Sequence, residues 1–189
     1  GEVVKLSVPV VDESLGQHEY YHEILKTALI EAGHKPILTS MTLPQVRARF
    51  FLDEGKISIY WMINSKKRNK DFVPIKVGLT NGLIGVRILF IKDRNQHLYD
   101  KVRNLDDFRN LNLIGGMGRG WYSVDVWKEN GLKYKEHHGN WGDIFKMLPH
   151  RPDYDYFSRG VNEILQESKL HPRLVIEKRL TLIYDRDFR

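Results

Sequence analysis

The segment His18-Glu19-Tyr20-Tyr21-His22 has the form H-E-x-x-H. On a helix, residues four apart share a face, so His18 and His22 could ligate zinc while Glu19 serves as general base, the chemistry of a metalloprotease. The same residues have a plainer reading. The motif sits in the first turns of the first expected helix, no third zinc ligand is identifiable, and Tyr21 and Leu25 place an apolar stripe beside the histidines. A zinc protease is therefore the lower alternative. His137 and His138 would point to opposite faces of a strand, so they and His150 read as surface residues. No Ser/His/Asp set or carboxylate pair has catalytic spacing. The expectation is a chain that is not an enzyme and needs neither metal nor cofactor.

A second cluster is Gly116-Met117-Gly118-Arg119-Gly120-Trp121. It fails as a dinucleotide fingerprint because Trp121 stands where the third glycine belongs, and no Gly-Lys-Ser/Thr follows to make a P-loop. What remains is a strand, a flexible turn and a helix N-terminus, which together offer backbone N–H groups and a positive dipole end to an anion. Gly118, Arg119, Gly120, Trp121 and Tyr122 are the candidates there, with Trp121 or Tyr122 placed to cover a ligand. Trp127 fits a buried helix face, and core packing is the commoner fate of Trp61 and Trp141.

These residues need elements to hold them. Strands are expected over Val3–Val10, Lys35–Met41, Lys56–Ile63 and Leu83–Ile91. Helices are expected over Gln17–Ala32 and, from a Thr42/Gln45 capping box around Pro44, up to Glu54. Farther on, strands are expected at Asn112–Gly115, Lys133–His137, Asp155–Phe157, Leu174–Ile176 and Leu180–Tyr184. Helices are expected at Asn104–Phe108, Trp121–Asn130, Asp143–Leu148 and Val161–Ser168. Two β-α-β-α-β series imply mostly parallel sheets, whose ligands sit beyond the carboxyl ends of strands. The segment after Val10 and the polar run Asn64–Asp71 are thus the first places to look.

Composition narrows the field. The chain has 189 residues, 41% hydrophobic and 29% charged, an ordinary balance for one medium domain or two small lobes. It has no cysteine, which does not select a compartment. No stretch approaches the roughly 20 apolar residues of a membrane span. The formal charge is +6, but cations are interspersed with acids and the densest basic run, Lys66 to Lys70, is five residues long. This fits a solvated basic surface or an anion cleft better than a nucleic-acid-binding face.

The ordered series of segments resembles the bacterial extracellular solute-binding protein family 3, the polar amino-acid-binding components of ABC transporters. The resemblance rests on Leu43-Pro44-Gln45-Val46-Arg47, Leu52 to Ile59, Asn64-Ser65-Lys66-Lys67-Arg68, Gly85 to Ile91, Asn104 to Phe108, Gly116 to Trp121, and Met147-Leu148 with Arg151 to Phe157. It implies a two-lobed type II periplasmic-binding-protein-like α/β fold. Lobe one would comprise residues 1–91 and 179–189, and lobe two residues 92–178. Leu83–Ile91 and Leu180–Tyr184 would be hinge strands. The C-terminal part of lobe one would be missing beyond Arg189.

The resemblance also implies function. A monomer, periplasmic or extracellular, would close on a small polar ligand, anionic or amino-acid-like, and deliver it to an ABC-transporter permease. The alternative is a sensor domain of the same fold read by a signalling partner. Arg68 matches the family's carboxylate clamp, Ser65 the adjacent hydroxyl, and Asn64 precedes them. Gly120-Trp121-Tyr122 matches the helix end that grips the carboxylate, without its usual Ser/Thr. Arg159 stands where the family has an Asp for the ligand amine. It is therefore expected to hold a second anionic group, since a cation facing an ammonium would repel it.

Overall fold

The computed structural model describes residues 1–11 and 16–189; the segment after Val10 that the strand order pointed to lies largely outside them. Two compact units make up the chain, residues 1–79 with Arg189 and residues 80–188.

In the first unit, β-branched alternation produces β1 (Val3–Val11), which pairs in parallel with β2 (Lys35–Leu43). Between them runs α1 (Gln17–Glu31), and α2 (Gln45–Asp53) follows β2. The capping box is not formed. β1–β2 pairing extends to Val11 and Leu43, so Thr42 stays in the strand and Pro44 takes the N-cap position with no side-chain hydrogen bond. Tyr21 and Trp61 stack with ring centroids 4.7 Å apart, both buried along with Val8, Val11, Leu43, Ala48 and Ile57.

Lys56–Ile63, expected as a third strand, is not one. Ser58 donates its N–H to the Ser7 carbonyl at 2.8 Å, but the Ser7 N–H is taken by Ser58 Oγ at 2.9 Å. A side-chain acceptor has replaced the backbone one, so the ladder stops there. After it, α3 (Arg68–Asp71) is a single turn.

The second unit is built on a six-stranded mixed sheet. Its strands are β3 (Val86–Lys92), β4 (Gly115–Gly118), β5 (Tyr134–His137), β6 (Tyr156–Gly160), β7 (Leu174–Ile176) and β8 (Leu182–Ile183). Their order is β5-β4-β6-β3-β7, with β8 also against β3. β4 is parallel to β5 and β6, whereas β3 is antiparallel to β6, β7 and β8. β3 is hydrogen-bonded along both edges within this unit. The strand expected to mark the end of lobe one is therefore an interior strand of the second sheet, and the units divide at Leu79/Thr80.

Period-2 alternation sends successive side chains to opposite faces of this sheet. Leu89, Ile91, Met117 and Tyr156 meet Phe108 of α4 (Leu105–Asn110) and Trp127 of α5 (Tyr122–Glu129). Phe90 and Phe157 meet Ile144 and Phe145 of α6 (Asp143–Met147) and Ile164 of α7 (Val161–Leu170). The buried Trp127 indole N–H and Tyr156 hydroxyl satisfy one another at 2.7 Å.

Candidate functional site

The glycine segment is more ordered than a flexible turn. Gly115 to Gly118 are all buried strand residues of β4, and only Arg119 and Gly120 form the turn. Close approach explains two of the glycines. A Cβ on Gly116 would meet the Tyr154 ring at 2.9 Å, and one on Gly118 would lie 2.3 Å from the Trp121 indole nitrogen. Gly120 has φ +70°, a left-handed conformation that side chains other than glycine's disfavour. Arg119 is exposed. The Gly120 N–H donates to Glu136 Oε2 on β5 at 3.1 Å, so a carboxylate of the chain itself sits on the turn.

Trp121 precedes α5 and folds back over the sheet, stacked on Phe157 at 5.8 Å and edge-on to Trp141 at 5.2 Å. Tyr122 accepts a hydrogen bond from Arg186 Nε at 2.8 Å.

Arg159 is not an open anion-binding cation. It is 4% exposed on β6, with Nε 2.9–3.0 Å from both Glu167 carboxylate oxygens and Nη2 2.6 Å from Oε1. Glu163 Oε2 lies 3.2 Å from Nη2. The guanidinium also faces Trp141 at 4.5 Å, Phe157 at 5.3 Å and Trp121 at 5.5 Å, within cation–π range. Burial disfavours its charge, but Glu163 and Glu167 outweigh burial and hold its pKa above the usual arginine value.

The expectation that Arg159 holds a second anionic group is therefore corrected: two buried carboxylates already neutralise it. Arg87 completes the cluster. It is 3% exposed, donates to Ser158 O at 2.7 Å and lies 3.9 Å from Glu163. Sequence reasoning missed Arg87, Glu163, Glu167 and Glu136. Helix periodicity puts Glu163 and Glu167 on one face of α7, but Arg159 lies on β6, so the spacing alone did not pair it with them.

In the first unit, Asn64 and Ser65 lie half-buried just before α3, and the half-buried Arg68 opens it. Arg68 donates its backbone N–H to Ser65 Oγ at 3.2 Å and Nη1 to the Ile63 carbonyl at 2.7 Å, which fixes the guanidinium against the loop. Asn64 Oδ1 is buried and accepts no hydrogen bond from the described residues, an uncommon condition for a buried amide oxygen.

The H-E-x-x-H histidines do share a face, with ring centroids 5.4 Å apart. His22 Nε2 is 3.0 Å from the Pro9 carbonyl and its ring lies edge-on to Trp61. Burial lowers the His22 pKa below the ordinary 6.5. Among the described residues no group of three or more His, Cys, Asp or Glu could hold a metal ion. No helix among them is long and apolar enough to cross a membrane.

No protein-family model and no curated protein matches the chain. Solved structures do. The chain is similar to an ancestral arginine-binding protein bound to arginine, with 18% identity over 97% of this chain and 82% of that one, and a TM-score of 0.65. A tungstate ABC transporter structure from Geobacter sulfurreducens matches at 13% identity, 97% and 82% coverage, and a TM-score of 0.63. The GluR0 ligand-binding core in complex with L-glutamate matches at 14% identity, 97% and 83% coverage, and 0.59. The fold of this chain is therefore that of the type II periplasmic-binding-like proteins, carried here by two compact α/β units.

Proposed function

We propose that this chain is an extracytoplasmic solute-binding protein, not an enzyme, which captures a small polar, amino-acid-like or anionic ligand for an ABC-transporter permease. The observation that carries the reading is a fold shared along 97% of the chain with proteins whose structures hold arginine, in one case, and L-glutamate, in another. The ligand contacts we assign in the first unit are Asn64, Ser65 and Arg68. The unpaired Asn64 Oδ1 supports this choice, since a ligand donor would satisfy it. In the second unit we assign Gly118, Arg119, Gly120, Trp121 and Tyr122. Arg159 is left out of the assignment because its charge is already met.

The test is native mass spectrometry of freshly purified protein, then titration calorimetry with basic, acidic and neutral amino acids and with oxyanions. One small ligand per chain, bound at least tenfold more weakly by Arg68→Ala, is the expected result. No co-purified ligand and no binding across the panel would refute solute capture. Binding untouched by Arg68→Ala would refute the site assignment alone.

A further inference from the structure

Residues 66–77 of the first unit read KKRNKDFVPIKV, with five cations against the single acid Asp71. Lys66, Lys67, Lys70 and Lys76 are all exposed, and none forms an ion pair with a described carboxylate. Directly after α3, residues 73–78 have no regular secondary structure, and three branched aliphatic side chains stand in solvent there: Val73 at 94%, Ile75 at 57% and Val77 at 61% exposure. Single exposed apolar residues are common, but three in five positions, set among unpaired lysines, form a patch that calls for an apolar partner with negative charge around it.

From these features we infer that residues 66–77 form a docking surface for an anionic phospholipid bilayer. The lysines meet headgroup charge, and Val73, Ile75 and Val77 enter the boundary between headgroups and acyl chains. Other occupants fit the same residues less well. An isologous contact with a second copy would set these lysines against one another. Strand addition by a protein partner is interrupted at Pro74, which has no N–H to donate. Single-stranded nucleic acid would need exposed aromatics for stacking, and here the exposed tips are aliphatic while Phe72 is half-buried. The surface lies outside the residues assigned to the solute except for Arg68, so bilayer docking leaves Asn64 and Ser65 unchanged in role.

The experiment is co-flotation of the full chain with vesicles of phosphatidylcholine alone and of phosphatidylcholine mixed with phosphatidylglycerol. Binding is expected to the mixed vesicles only and to weaken with added salt. Lys66→Gln and Lys67→Gln should each cost about fivefold in partitioning. Val73→Ser, which leaves the charge intact, should also weaken partitioning severalfold. All three positions are exposed, so an unchanged circular-dichroism melt confirms that each variant is folded. Absence of binding to the anionic vesicles would overturn the inference, as would equal binding to both vesicle types or full binding by the lysine variants. Concentration-dependent dimerisation abolished by Val73→Ser would overturn it in favour of a second copy. Solute titration on the same preparations separates failure here from failure of the solute-binding reading.

Discussion

Glu167→Ala tests the correction made for Arg159. The substitution removes a carboxylate that accepts three hydrogen bonds of 2.6–3.0 Å from one guanidinium. Both residues are nearly buried, at 4% and 6% exposure, so solvent screens the pair little. Arg159 would then keep only Glu163, which also lies 3.9 Å from Arg87. A buried cation left short of counter-charge costs about 3–5 kcal/mol. For a domain of roughly this size, each kcal/mol moves the melting temperature by about 4 °C, so the transition of the second unit should fall by about 10–20 °C.

Urea unfolding followed by tryptophan fluorescence would measure the loss, because Trp121 and Trp141 flank the guanidinium. Replacing both partners, as in Arg159→Met with Glu167→Met, should destabilise less than the sum of the single changes, since no unpaired charge remains. A cost below about 1 kcal/mol for Glu167→Ala, or strict additivity in the double variant, would refute the buried-pair argument and return Arg159 to the list of ligand groups.

Glu136→Gln removes the negative charge from the turn while keeping an acceptor for the Gly120 N–H, and is expected to raise affinity for carboxylate ligands several-fold in calorimetry; lowered affinity would mean that Glu136 faces the ligand as an attractive group. His22 and His171 both have pKa values lowered chiefly by burial, so the folded state binds fewer protons than the unfolded one. Their contribution is intact above the ordinary 6.5 and is lost as pH falls below it; denaturation measured from pH 7.5 to 5 should show declining stability, flattened in His171→Phe, which keeps the stack on Phe145. Elemental analysis should find no stoichiometric zinc and chelators should leave the melt unchanged; one tightly bound zinc lost in His18→Ala would overturn this.

The helices and most strands of the second unit were legible in the chain because their signals are local. Gly131 follows α5, Asn104 caps α4 through the Asp107 N–H, and the continuous apolar run Ile88–Ile91 matches a strand covered on both faces. The third expected strand of the first unit is absent for a non-local reason. Lys56–Ile63 has a strand's composition, but the Ser58 hydroxyl competes for the Ser7 N–H, and that competition exists only once the two segments lie side by side. The candidate site was legible as positions and not as states. The Gly118–Tyr122 turn follows from the end of β4, whereas the Asn64–Arg68 segment follows no regular strand, and nothing in the spacing of Glu136 says that it accepts from Gly120.

What the sequence by itself determined is periodicity and punctuation: an α/β order of elements, two groups of them, and glycines where the chain must pass close to an aromatic ring or turn left-handed. These depend on residue type and near neighbours alone. Tertiary structure decided which charges are available. Arg159 read as a ligand cation until α7 packed against β6 and brought Glu163 and Glu167 to within hydrogen-bonding distance or ion-pair range of its guanidinium. A buried charge is retained only with a partner, and helix and strand packing, more than sequence position, chooses the partner.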